Sequence, residues 1–278
     1  MPIQEYKMNP KLGLHNLANS RVGNYLFNFQ LSLAAEQTNF ILSNFKKLVK
    51  NTKHDAPKRK NDFCLARVTD PELTNEEDKW ERAMYEKWGP LKGSGEYVSI
   101  CKRIQTYQYP LQATRKDQRW GDIDLLGIGP DFLPVPNELK MQKAKESPLR
   151  MLVEVAAYGL ALQKVWPNLR EHWAEALSWF EGSPSRFPEK LERVTLVCVA
   201  PKEYWDRCLG RQSKTKEGKF PTEAWPLFWK LVDAFQEKEF DIHFAVVEGT
   251  PDNITGAQEL DREFLPLKLA ARNPDPGQ

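Results

Sequence analysis

The chain has 278 residues, 41% of them apolar and 28% charged, with a formal net charge of +2, the make-up of a soluble globular protein with enough length for a sizeable core. No apolar run approaches the roughly 20 residues a bilayer requires, and the opening MPIQEYKMNPK lacks the apolar centre of a signal peptide, so a membrane-spanning helix is excluded and the cytoplasm is the expected compartment. Cys64, Cys101, Cys198 and Cys208 form no CxxC pair, which excludes a zinc-finger spacing and gives no reason to expect a disulfide framework.

Residues 12–50 carry apolar side chains at helical spacing, as in NYLFNFQLSLAAEQTNFILSNFKKLVK. Residues 51–62 are polar and read as a linker. Residues 1–60 hold ten Lys/Arg against three acids, concentrated in KKLVKNTKHDAPKRK, Lys46–Lys60. Such a run suits phosphate neutralisation along a nucleic acid, and equally a solvated linker. Thr74 or Asn75 can cap the next helix, acidic in its first turn and closed by Gly89-Pro90.

EYVSICKRIQTYQY then reads as a strand pair or one long strand, and two further strands are predicted around a turn at Gly127–Pro130. Ser147-Pro148 opens a strong helix with Leu149, Leu152, Val153, Ala156 and Leu160 on one face. A separate helix is predicted in NLREHWAEALSWF, followed by strand RVTLVCVA, helix TEAWPLFWKLVDAF, strand FDIHFAVVEG and a disordered tail. This order gives a mixed α/β class. Trp166, Trp173, Trp179, Trp205, Trp225 and Trp229 read as core, and no pair among the four histidines has ligand spacing.

The candidate chemistry lies in RWGDIDLLGIGPDFLPVPNELKMQKAK, Arg119–Lys145. Side chains alternate along a strand, so Asp122 and Asp124 share a face, as do Glu138 and Lys140. A hairpin would bring the two faces together. Carboxylates so gathered repel one another unless a cation intervenes, and a hard divalent ion such as Mg2+ accepts this oxygen set. Glu-x-Lys alone says little, since it also occurs at Glu5/Lys7, Glu77/Lys79 and Glu217/Lys219. Only Glu138/Lys140 follows an Asp-bearing apolar strand and precedes a capped helix. Pro134 and Pro136 cannot donate to a ladder, so this strand is expected to begin near Val135, or to be an edge or bulged strand.

GDIDLLG…NELK resembles the metal-binding core of the PD-(D/E)xK nuclease superfamily, its first half resembling the Holliday-junction-resolvase-like members. The resemblance implies a restriction-endonuclease-like mixed sheet flanked by helices over residues 63–265, with a helical N-terminal extension over 1–62 and a tail over 266–278. It implies hydrolysis of DNA phosphodiesters with Mg2+, or Mn2+ in its place, and DNA as the partner. Asp124, Glu138 and the backbone carbonyl of Leu139 would hold the ion, with Asp122 and Glu81 as further ligands. Lys140 would position or help deprotonate the attacking water. The following helix often carries Gln-x-x-x-Tyr in that superfamily; here Glu154 and Tyr158 occupy those places, with Glu for Gln, and would orient Lys140 or the phosphate. The alternative is a nuclease-fold protein without catalysis that binds nucleic acid or protein.

Overall fold

A computed structural model describes residues 13–18, 34–57, 75–90, 96–111, 120–144, 146–209 and 224–261. Three N-terminal helices, α1 (Leu14–Ala18), α2 (Ala34–Ser43) and α3 (Phe45–Asp55), precede α4 (Glu76–Trp88). Strands β1 (Arg103–Pro110), β2 (Asp122–Ile128) and β3 (Pro134–Leu139) lead into α5 (Pro148–Leu177) and β4 (Val194–Pro201). Helices α6 (Lys202–Cys208) and α7 (Ala224–Gln236) and strands β5 (Phe240–Thr250) and β6 (Asn253–Glu259) complete the described elements. No helix among the described residues is long and apolar enough to cross a membrane.

The architecture is mixed α/β. The six strands form one sheet in sequence order. The β1–β2, β2–β3 and β5–β6 pairs are antiparallel, and the β3–β4 and β4–β5 pairs are parallel. Both parallel connections step in the same direction across the sheet, so right-handed crossovers put their helices on one face. Accordingly α5 and α7 share a core with Leu196, Cys198, Phe240, Ile242 and Phe244, and α1, α2 and α3 bury Leu14, Ile41 and Leu48 in that same core. Trp80, Met84 and Trp88 recur every four residues along α4 and cover the other face over Leu125, Val135, Leu139, Val197 and Val199.

Several elements differ from the sequence expectations. The polar stretch after Lys50 continues α3 as far as Asp55, because Leu48, Val49 and Thr52 still bury one face. Residues 58–62 of the expected linker, and the tail, lie outside the described residues. EYVSICK resolves into a tight Val98–Cys101 bridge before β1. The hairpin turn lies at 129–133 rather than Gly127–Pro130, closed by Gly129 N–H donating to Leu133 O at 2.9 Å. Gly127 belongs to β2, where a Cβ would meet Cys101 Sγ at 2.1 Å. The two helices expected between Ser147 and Phe180 are one 30-residue helix that runs through Pro167, since Val165, Trp166, Leu169, Trp173 and Leu177 continue its buried stripe. Trp179 is 54% exposed and not core. Helix α6 and the largely exposed strand β6 carried too weak a pattern to be predicted.

Strand β3 is interior, and its prolines fit there. Val135 and Asn137 pair with Gly127 and Leu125 of β2, and the Leu139 N–H points the same way, to Asp124 Oδ2 at 2.7 Å. Backbone nitrogens alternate, so those of Pro134 and Pro136 face β4. Strand β4 pairs with β3 only from Asn137 to Leu139, and Lys140 N–H donates to Val199 O at 3.0 Å. Both prolines therefore sit where the ladder needs no donor.

Candidate metal centre

The C-terminal ends of the parallel strands are where open α/β sheets place their ligands, and β3 ends there in Glu138-Leu139-Lys140. Strand β2 enters at the same end through Gly121, Asp122 and Asp124. Gly121 has φ +67°, and a side chain there would lie 3.7 Å from the Tyr158 hydroxyl. Asp124 interrupts the β2–β3 backbone ladder: instead of a carbonyl, its carboxylate accepts the Leu139 N–H. This bond ties the Asp-bearing strand to the strand carrying Glu138 and Lys140.

Helix α4 brings the other acids. Asn75 Oδ1 caps it by accepting Asp78 N–H at 2.7 Å, which orients a first turn of Glu76, Glu77 and Asp78. Glu77 and Glu81, one turn apart, reach Asp124, so that one carboxylate oxygen from each of the three lies within 4.8 Å of the others. Glu81 is buried, and its Oε2 has no hydrogen-bond partner. Its pKa is pushed up to about 9 by burial first and then by Glu77 and Asp78. Burial, followed by Glu81, also raises Asp124 well above the carboxylate range, against the pull of Lys140. Three all-oxygen ligands with an orphaned buried oxygen form a group that could hold a metal ion, and the chemistry of the set favours a hard divalent cation.

Beside this trio stands an ion-pair network. Lys140 Nζ contacts Glu138 Oε1, and lies 3.0 Å from Glu146 and 3.2 Å from Glu154. Arg150 bridges the outer two acids, 2.8 Å from Glu146 and 3.2 Å from Glu154. Burial disfavours the Lys140 charge, but Glu138, Glu154, Glu146 and Asp124 together hold its pKa well above the usual lysine value. Burial likewise pushes Glu154 up, and Lys140 and Arg150 outweigh it to keep that carboxyl low. Tyr158 is pushed well above its ordinary value by burial and then by Glu138, Glu154 and Asp124, which keeps the phenol a neutral donor.

The structure thus gathers Asp124, Glu138, Lys140, Glu154, Tyr158 and Glu81 at one end of the sheet. Asp122 is half-buried opposite Pro110 at the start of β2 and stands outside the trio. The Leu139 backbone is engaged through its N–H. Sequence reasoning missed Glu77 and Glu146. The i, i+4 spacing of Glu77 to Glu81 and of Glu146 to Arg150 was the available signal, masked in the first case by the ordinary preference for acids in a helix's first turn. Of the basic segment, Lys46, Lys47 and Lys50 are exposed on α3, and Lys53 pairs with Glu239 at 2.8 Å; Lys58, Arg59 and Lys60 lie outside the described residues. No protein-family model, curated protein or solved structure matches the chain, so the functional reading rests on these residues alone.

Proposed function

We propose that this chain is a divalent-metal-dependent nuclease of the PD-(D/E)xK kind, on a restriction-endonuclease-like sheet, that hydrolyses DNA phosphodiesters. The observation that carries the reading is the junction of Asp124 with Glu77 and Glu81 on one side and, through the Leu139 N–H, with the Glu138-x-Lys140 strand on the other. Asp124, Glu77 and Glu81 would hold Mg2+, or Mn2+, with Glu138 and the Leu139 carbonyl as the further ligands. Glu138 Oε2 is buried without a partner, which suits that role.

When bound, the ion lowers the pKa of a coordinated water and offsets charge developing on phosphate. Hydrolysis adds a water oxygen to phosphorus and breaks one ester P–O bond. One water proton ends on the departing alcohol, and the other is shed from the new phosphate monoester. Lys140, its ammonium bracketed by three carboxylates, serves here as a fixed positive charge near the phosphate, not as a base. Glu154 and Arg150 hold that ammonium in place, and Tyr158 supplies a neutral donor beside it. Lys46 and Lys47 line a groove of about 500 Å3 with Lys238 of the α7–β5 turn, a surface suited to backbone phosphates.

The test is incubation of the protein with plasmid and with linear single-stranded DNA in Mg2+, in Mn2+ and in EDTA, beside Asp124→Asn and Lys140→Ala. Metal-dependent cutting by the wild type, reduced by about a hundredfold or more in both variants, is the expected result. A folded wild type that cuts neither substrate in either metal overturns it. The sequestration of Lys140 by Glu138, Glu146 and Glu154 favours a second reading, a site that binds metal and DNA without turnover, and metal-dependent DNA binding with no cutting would establish that instead.

A further inference from the structure

The acidic trio poses a mechanical problem that the nuclease reading does not address: something must hold an acid-laden helix end against Asp124. In β1, Tyr107 lies opposite Leu125 and Tyr109 opposite Ile123, which puts Gln108 directly across from Asp124. Gln108 has φ +47°, the left-handed region that a non-glycine residue rarely adopts inside a strand. Regular strand alternation would send Tyr107 and Gln108 to opposite faces. Instead both touch α4: the Tyr107 ring lies 5.4 Å from that of Tyr85, and Gln108 Nε2 donates to Asp78 Oδ1 at 2.7 Å. Gln108 also works against the upward shift of the Glu81 pKa, the effect of a donor close to that carboxyl. A neutral amide thus ties the first turn of α4 to the strand facing Asp124, while the buried Glu81 Oε2 is left without a partner.

We propose that Gln108 is a positioning residue for the metal centre, whose irregular backbone turns its amide onto Asp78, the neighbour of Glu77, and so sets the spacing of the α4 carboxylates about the cation. The proposal rests on the metal-binding reading of Glu77, Glu81 and Asp124. A donor that serves only to fasten α4 would affect stability, and metal affinity would change only as far as stability does. A donor that sets ligand spacing affects metal affinity separately. Mg2+ tolerates little departure from octahedral geometry, and partners behind the ligands commonly govern affinity by ten- to a hundredfold.

Two substitutions divide the roles. Gln108→Met keeps the bulk and the unfavourable backbone but removes the amide; Gln108→Gly removes the amide and relieves the backbone. Melting temperature in EDTA and the Mn2+ midpoint, read by the paramagnetic resonance of free Mn2+, are measured for both and for the wild type. The expected result is a midpoint raised about tenfold or more in both variants, with Gln108→Gly melting no lower than Gln108→Met. Midpoints within twofold of the wild type in both variants overturn the role of Gln108 while leaving the metal centre intact. A wild type that binds no Mn2+ overturns the metal reading and this proposal with it.

Discussion

Glu81 concentrates the conflict between folding and function in one side chain. It is 3% exposed, and burial with Glu77 and Asp78 pushes its pKa from 4.5 up to about 9. Folded-state pKa above unfolded-state pKa means that the folded chain binds the extra proton between those values, so stability present below pH 4.5 is lost as pH rises toward 9. In EDTA the melting temperature should therefore fall from pH 5 to pH 9, and Glu81→Gln should flatten that slope. At pH 8 the variant should gain roughly 1–2 kcal/mol, or about 2–8 °C. Mg2+ should raise the melting temperature of the wild type and leave the variant almost unmoved, because a cation stabilises only the fold that binds it. Differential scanning calorimetry across pH, with and without Mg2+, checks both. The i, i+4 spacing of Glu81 with Glu77 could be read from the sequence; its use as a ligand pair could not, because a solvated first turn and a ligand turn have the same composition.

At the scale of elements, Glu76 and Glu77 separate those two uses. Both complement the N-terminal end of the α4 dipole, an effect of about 0.3–1 kcal/mol each. Glu76 is exposed, whereas Glu77 faces Asp124. Glu76→Gln should lower stability slightly and leave the Mg2+ response intact, while Glu77→Gln should weaken that response by about tenfold or more; Mg2+ titrations followed by thermal melting distinguish them. Helix α5 offers a test unrelated to the metal. Pro167 is exposed in its interior, where proline removes a hydrogen bond to the preceding turn and disfavours helix by about 3 kcal/mol. Pro167→Ala should raise the melting temperature by at least a few degrees, and no change would mean that α5 loses nothing by carrying proline at this exposed position. In β3, which begins at Pro134 beside the expected start near Val135, the prolines belong to an interior strand and not to an edge. A proline in sequence shows a missing donor but not which way the nitrogen faces, and in β3 it faces the side where pairing has not begun.

At the scale of the whole molecule, element types and order could largely be read because strands buried on both faces, such as VTLVCVA, and amphipathic helices, such as AWPLFWKLVDAF, have distinct apolar periods. Which end of the sheet gathers the acidic cluster follows from topology, with β2 entering where β3 ends. The balance of charge there was not legible, because it gathers residues from β2, β3, α4, α5 and the turn before α5. Seven carboxylates (Glu77, Asp78, Glu81, Asp124, Glu138, Glu146 and Glu154) stand around Lys140 and Arg150. Without a cation such a site offers a phosphodiester no open positive charge, while the exposed Lys46, Lys47 and Lys50 on α3 attract one.

This arrangement predicts that the effect of Asp124 on DNA affinity depends on the metal. Burial and Glu81 already favour the neutral Asp124 carboxyl in EDTA, so Asp124→Asn removes little charge there and should bind a DNA duplex about as tightly as the wild type. In Mg2+ it lacks a ligand and should bind more weakly. Fluorescence anisotropy of a labelled duplex, titrated against salt, tests both halves. Replacing Lys46, Lys47 and Lys50 together by Gln should reduce the slope of log affinity against log salt by about 2–3, since each phosphate contact contributes about 0.9, in EDTA and in Mg2+ alike. Equal affinity of Asp124→Asn and wild type in Mg2+ as well as in EDTA would mean that phosphate does not approach the carboxylates, and would place any DNA contact away from this end of the sheet.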